Sequence, residues 1–163
     1  MLWLFAWQYE YLNLSVVLMF LLLATLILVY IRLDIGRGKV DRGDRLAVHL
    51  PFSVYLGWIT IASIADVATA LVSLKWNGFG ISAETWAVLI VLIALIIATL
   101  VAVTRRDVAY ELVIVWAFVG IAVKQTSNPT IAILTLASTV VVVIALMASI
   151  LYFRSRPIAR GTS

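Results

Sequence analysis

Long apolar runs separated by short polar segments set the pattern of the 163-residue chain. A membrane-spanning helix needs roughly 20 mainly apolar residues. Residues 14–33, 46–74, 85–103, 108–123 and 131–153 supply five candidates. The first, almost unbroken in SVVLMFLLLATLILVYIRL, stops at DIGRGKVDRGDR, whose glycines and aspartates end the helix and hold the loop in water. After the second run, KWNGFGISAE places Asn77-Gly78 and Gly80 beside Trp76 and Phe79, as in a turn lying against lipid headgroups. Ser82 or Ala83 to Glu84 opens the third run, and the brief Arg105-Arg106-Asp107 turn leads into the fourth. That run is short and carries Tyr110, Glu111, Trp116 and Gly120. KQTSNPT then precedes the fifth, and RSRPIARGTS forms a polar, basic tail. The pattern predicts an all-α, polytopic membrane helix bundle with about five transmembrane helices, a single transmembrane domain over residues 1–163. With loops this short, consecutive helices are expected to be antiparallel neighbours.

The second run departs from a uniform aliphatic span. At ~100° per residue, Pro51, Tyr55, Trp58, Ala62, Asp66, Thr69 and Ser73 fall in one narrow sector. A carboxyl or hydroxyl in hydrocarbon costs free energy unless a partner or cavity receives it. The stripe is therefore expected to face the protein interior. Pro51 is tolerated near the start of the buried part, with Val48 and His49 at the interface.

Composition sharpens this picture. The chain is 64% hydrophobic and 12% charged, with a mean hydropathy of +1.13, which marks an integral membrane protein. The net charge of +4 reports loop placement and gives no ground for a nucleic-acid partner. Ten basic residues (Arg32, Arg37, Lys39, Arg42, Arg45, Arg105, Arg106, Arg154, Arg156, Arg160) fall on one side of the alternation and two, Lys75 and Lys124, on the other. The positive-inside rule then predicts a plasma-membrane protein with its N-terminus outside and its C-terminus inside. The absence of Cys excludes disulfides, thiolate metal sites and thiol catalysis, and a single His49 makes no metal cluster. No HExxH, P-loop or GxGxxG pattern occurs, so neither a catalytic residue nor a metal ligand is assigned. The opening MLWLFAWQYEY lacks a basic n-region and carries Glu10, unlike a cleavable signal. Its aromatic cluster suits a membrane interface or the last turns of a span.

A few residues in the spans carry chemistry, each with a plainer alternative. Asp66 is an intramembrane acid and hence a functional candidate; equally, it is a structural tie to Lys124, Lys75 or a neighbouring Ser or Thr. Trp58 with Tyr55 offers a rigid surface for a flat ligand such as a tetrapyrrole or sterol, or simply packs between helices. Trp116, Gly120 and Lys124 make a comparable row on the fourth span. Glu111 is expected to pair with Arg105, Arg106 or the first basic loop rather than to relay protons. His49 reads as structural.

The segment Tyr55-Leu56-Gly57-Trp58, followed by Ala62 and Asp66, resembles the tryptophan-rich sensory protein family, also called the translocator protein or TspO/MBR family. That family's last helix reads Pro-Tyr-x-x-Trp, then Ala and Asn at successive four-residue steps. Here Asp66 stands in place of Asn, and Val54 in place of Pro, with Pro51 one turn earlier. Trp3 and Trp7 similarly look like the family's Leu-Asn-x-x-Trp-x-x-x-Phe helix without its Asn. In this register the first half of the chain resembles the C-terminal half of a TspO protein, and the last three spans have no counterpart. An enlarged member lacking its N-terminal spans is the expectation. The resemblance implies a planar hydrophobic ligand, tetrapyrrole or sterol-like, and a sensor or regulator that is not an enzyme. It further implies a homodimer, and a groove lined or supported by Tyr55, Trp58, Ala62 and Asp66. The rival readings are a small proton-coupled secondary transporter using Asp66, and a structural subunit of a membrane complex.

Overall fold

A computed structural model describes residue 5 and residues 7–9, 11–37 and 40–154. Among these, five long helices form an all-α bundle: α1 (Leu12–Arg32), α2 (Leu50–Ser73), α3 (Ala83–Thr104), α4 (Val108–Lys124) and α5 (Pro129–Arg154). Four are long and apolar enough to cross a membrane. The fifth, α4, has 17 residues, at the lower edge of the spanning range. The protein is an integral membrane helix bundle.

Local chemistry accounts for the helix ends. The Ser82 hydroxyl accepts from the Thr85 amide at 3.1 Å to start α3, and the Asp107 carboxyl caps α4 through the Ala109 and Tyr110 amides. Ahead of α2, a helical turn at Arg42–Asp44 runs into a π-helical turn at Arg45–His49. The widened turn lies directly before Pro51, which lacks an amide proton and whose ring crowds the preceding turn. Thr60, Ser63, Thr69 and Thr135 each donate to the carbonyl four residues back, so their hydroxyls are satisfied without leaving an apolar helix.

Packing departs from the expected chain-order neighbours. The helices lie side by side in the order α1, α2, α4, α5, α3, with α3 and α4 touching only slightly. The helices α2 and α3 make no substantial interface, although consecutive. The reason is where the small residues lie. On α3 the buried positions Ala94, Ala98 and Ala102 form one stripe, to which α5 is tied by Ser149, whose hydroxyl donates to the Ala102 carbonyl at 3.0 Å. On α2, Gly57 lies against the Tyr110 carbonyl and Val113 of α4, where a Cβ would come within 3.1 Å of that oxygen. Between lipid-solvated helices, close approach through small residues supplies the contact energy.

The α2 stripe is also turned differently from the expectation. Its buried face is Ser53, Leu56, Gly57, Ile59, Ser63, Asp66 and Ala70, whereas Tyr55 and Trp58 are 42% and 47% exposed. Pro51, Thr69 and Ser73 are exposed as well. Small side chains, rather than the aromatics, occupy the interior because α2 is wedged between α1 and α4. Of the stripe, Asp66 alone is fully buried.

Candidate functional site

The expected site residues come together in part. A cleft of about 380 Å³ runs along α1 and α2, with Met19 on one wall and Trp58, Ile61, Ala62, Ala65 and Asp66 on the other, and Trp7 at its edge. Trp58, Ala62 and Asp66 thus share one groove because four-residue steps keep them on one helix flank. Tyr55, a turn earlier, does not line it. Trp3 lies outside the described residues.

Asp66 is the one acid on this groove, and it is 2% exposed. Ser15, fully buried on α1, sits with its Oγ 3.1 Å from both carboxyl oxygens. A hydroxyl has one proton to donate, whereas a carboxyl offers several lone-pair positions. The group is therefore tied to a neighbouring helix by a single shared proton, fewer than its lone pairs could accept. The tie is to a serine, one of the alternatives open from the sequence, and neither Lys75 nor Lys124 takes part. Ser15 and Met19, at i and i+4 on α1, were not legible as site residues; a small hydroxyl near the start of an apolar run was the available signal.

Trp58 also meets Trp116 of α4, with ring centroids 5.7 Å apart and planes tilted by 38°. Trp116 is 64% exposed, so the pair forms an outward aromatic ledge beside the groove. Its offset, tilted geometry is the favourable one for two rings.

The basic end of the bundle carries a second polar cluster. Tyr30 donates to Asp107 at 2.8 Å, and Arg105 pairs with Asp34 at 3.0 Å while its guanidinium carbon lies 5.6 Å from the centre of the Tyr30 ring. Arg37 donates to the Thr104 carbonyl at 2.9 Å. This ties the α1–α2 loop to the α3–α4 turn. Glu111 takes no part in it: the carboxyl is 1% exposed and neither oxygen has a hydrogen-bond partner among the described residues. Of the basic groups expected within reach of Glu111, Arg105 pairs instead with Asp34, which the loop carries to it. His49 is half-buried against a cavity at this end. Among the described residues no group of three or more His, Cys, Asp or Glu is placed to hold a metal ion.

The sequence pattern of one protein family, described as TSPO-like protein, matches residues 1–149. The match takes in α1 to α4 and most of α5, so the likeness reaches well beyond the first-half register drawn from the Tyr55–Asp66 motif. The later helices lack that aromatic signature, and the motif alone did not reach them. Comparison with curated proteins and with solved structures gives no match.

Proposed function

The chain belongs to the TSPO-like protein family, and from that premise we propose that it binds a planar hydrophobic ligand, tetrapyrrole or sterol-like, in the α1–α2 groove. It acts in this reading as a sensor or regulator without chemical turnover. The observation that carries the proposal is a buried acid, held by one serine hydroxyl, at the wall of an apolar groove that a tryptophan also lines. An apolar body fills the cleft and covers Met19, Ile61 and Ala62. A polar substituent on its edge meets Asp66, and Trp58 covers its face. Tyr55 supports Trp58 from one turn away rather than touching the ligand.

The same reading takes residues 1–163 as one transmembrane unit in the plasma membrane, basic end inside, and includes a homodimer. Membrane sidedness is tested by labelling single cysteines introduced at Ser127 and Arg42 with an impermeant reagent in intact cells.

Titration of the detergent-purified protein with protoporphyrin IX, followed by tryptophan quenching and ligand absorbance, tests the groove. The expected result is saturable binding, weakened about tenfold or more in Trp58→Ala, since burying one aromatic face is worth upwards of 1.4 kcal/mol. Equal binding by the variant removes Trp58 from the site. Absence of saturable binding to the parent protein, with sterol as well as porphyrin, overturns the ligand reading.

A further inference from the structure

We propose that the cavity between the start of α2 and the α3–α4 turn binds the headgroup of an anionic phospholipid, through Arg45, His49 and Arg106, with its acyl chains along Leu46, Leu50 and Leu112. The cavity measures about 560 Å³ and lies at the basic end, separate from the groove of Trp58 and Asp66.

Its construction is specific. The π-helical turn Arg45–His49 sets Arg45 and His49 at its two ends, and both line the cavity. Departures from regular helix of this kind recur where a helix serves a ligand. The opposite wall is the α3–α4 turn, where Arg106 adopts a left-handed conformation (φ 54°). Gly36 forms part of the surround with φ 84°, and a Cβ there would sit 2.2 Å from the Arg105 carbonyl oxygen. Loop backbone thus presses directly on the turn and closes that side.

The charge balance favours an anion. Asp107 also lines the cavity, but one of its oxygens accepts from Tyr30 and the other from two backbone amides. That carboxyl is already engaged by the fold. Arg45 is exposed and has no ion-pair partner among the described residues. Two guanidiniums and an imidazole therefore border the space, against one carboxyl whose acceptor positions the fold already fills.

A free phosphate would need the cations alone. Here apolar side chains continue directly from them: Leu46, Leu50, Val108 and Leu112 line the same cavity and are 66%, 42%, 44% and 62% exposed. Basic pockets between spanning helices, opening onto acyl-chain surface, suit an anionic lipid, which joins a phosphate to two hydrocarbon tails. The adjoining apolar wall decides for the lipid over the free ion.

The test is native mass spectrometry of the full chain in detergent, titrated with phosphatidylglycerol, phosphatidylcholine or inorganic phosphate, for the parent and for Arg45→Ala, His49→Ala and Arg42→Ala. Arg42 is an exposed cation on the same segment but not on the cavity. One phosphatidylglycerol is expected to be retained in preference to phosphatidylcholine. Its affinity should fall roughly tenfold in Arg45→Ala, the loss expected of one charge-assisted contact, with a smaller loss in His49→Ala and none in Arg42→Ala. Millimolar phosphate should not displace it. Equal retention of the two lipids, equal loss in Arg42→Ala and Arg45→Ala, or binding of phosphate with displacement of the lipid would each overturn the proposal. Arg45 is exposed, so its replacement leaves the packed helices intact; unchanged helical circular dichroism verifies this.

Discussion

At the basic end both oxygens of Asp107 are occupied, one by Tyr30 and the other by the first amides of α4. Asp66, equally buried inside the bundle, has one serine hydroxyl between its two oxygens. The contrast separates two uses of an acid in an apolar protein. A fully engaged carboxyl fixes geometry, because removing it strands every donor that pointed at it. A half-engaged one beside a cavity retains acceptor capacity for something that arrives. Asp107 accordingly reads as part of a staple, and Asp66 as part of a receptacle in the α1–α2 groove.

The largest effect that sharpens this contrast is at the staple. Asp107→Ala leaves the buried Tyr30 hydroxyl unpaired and uncaps α4. Together these are expected to cost about 3 kcal/mol, from a charge-assisted hydrogen bond of roughly 2 and a cap of roughly 1. The midpoint of thermal unfolding in detergent, followed by circular dichroism, should fall clearly below that of the parent. An unchanged midpoint would mean that the clamp between the α1–α2 loop and the α3–α4 turn is not a stabilising feature.

A step smaller is Gly36→Ala. The left-handed φ of 84° and the 2.2 Å approach of a Cβ to the Arg105 carbonyl both oppose a side chain there. A cost of about 2 kcal/mol is expected, the range for a strained backbone position, together with faster hydrogen exchange over residues 34–37 and 104–107. Loss of stability without local exchange would place the strain elsewhere. The groove variant Trp58→Ala should instead leave the unfolding midpoint near the parent value while affinity falls, the reverse of both staple variants.

The helices were legible because an apolar run of about 20 residues has few other uses. Facing was not legible. In soluble proteins hydrophobic periodicity tells inside from outside, but lipid is as apolar as the bundle interior, so Leu and Val say nothing about direction. The informative residues were the small ones, Ser53, Gly57, Ser63 and Ala70 on α2 and Ala94, Ala98 and Ala102 on α3. The narrow sector of Tyr55, Trp58 and Asp66 is real as geometry, yet of the three only Asp66 is buried, and Tyr55 does not reach the groove that the other two line. Nor does anything local join Ser15 to Asp66 across 51 positions, or Tyr30 to Asp107 across 77. Such pairings depend on which helices are neighbours, and the order α1, α2, α4, α5, α3 is set by where small residues allow contact.

The smallest expected effect tests the receptacle itself. Asp66→Asn keeps the shape of the side chain and one oxygen able to accept from Ser15, so stability should change by less than ~1 kcal/mol. The substitution also restores the residue found at this step in the family motif that the segment resembles. What changes is the groove wall, which exchanges an acceptor-only or ionisable group for one that also donates. Ligands presenting a cationic or donor edge should lose affinity about threefold or more, and ligands presenting an acceptor should gain. The measurement is a pair of tryptophan-quenching titrations, with protoporphyrin IX and with a porphyrin carrying cationic substituents. Opposite shifts for the two would assign Asp66 to ligand recognition. Parallel shifts, or a fall in the unfolding midpoint as large as that of Asp107→Ala, would make Asp66 a second staple and remove the distinction between the two regions.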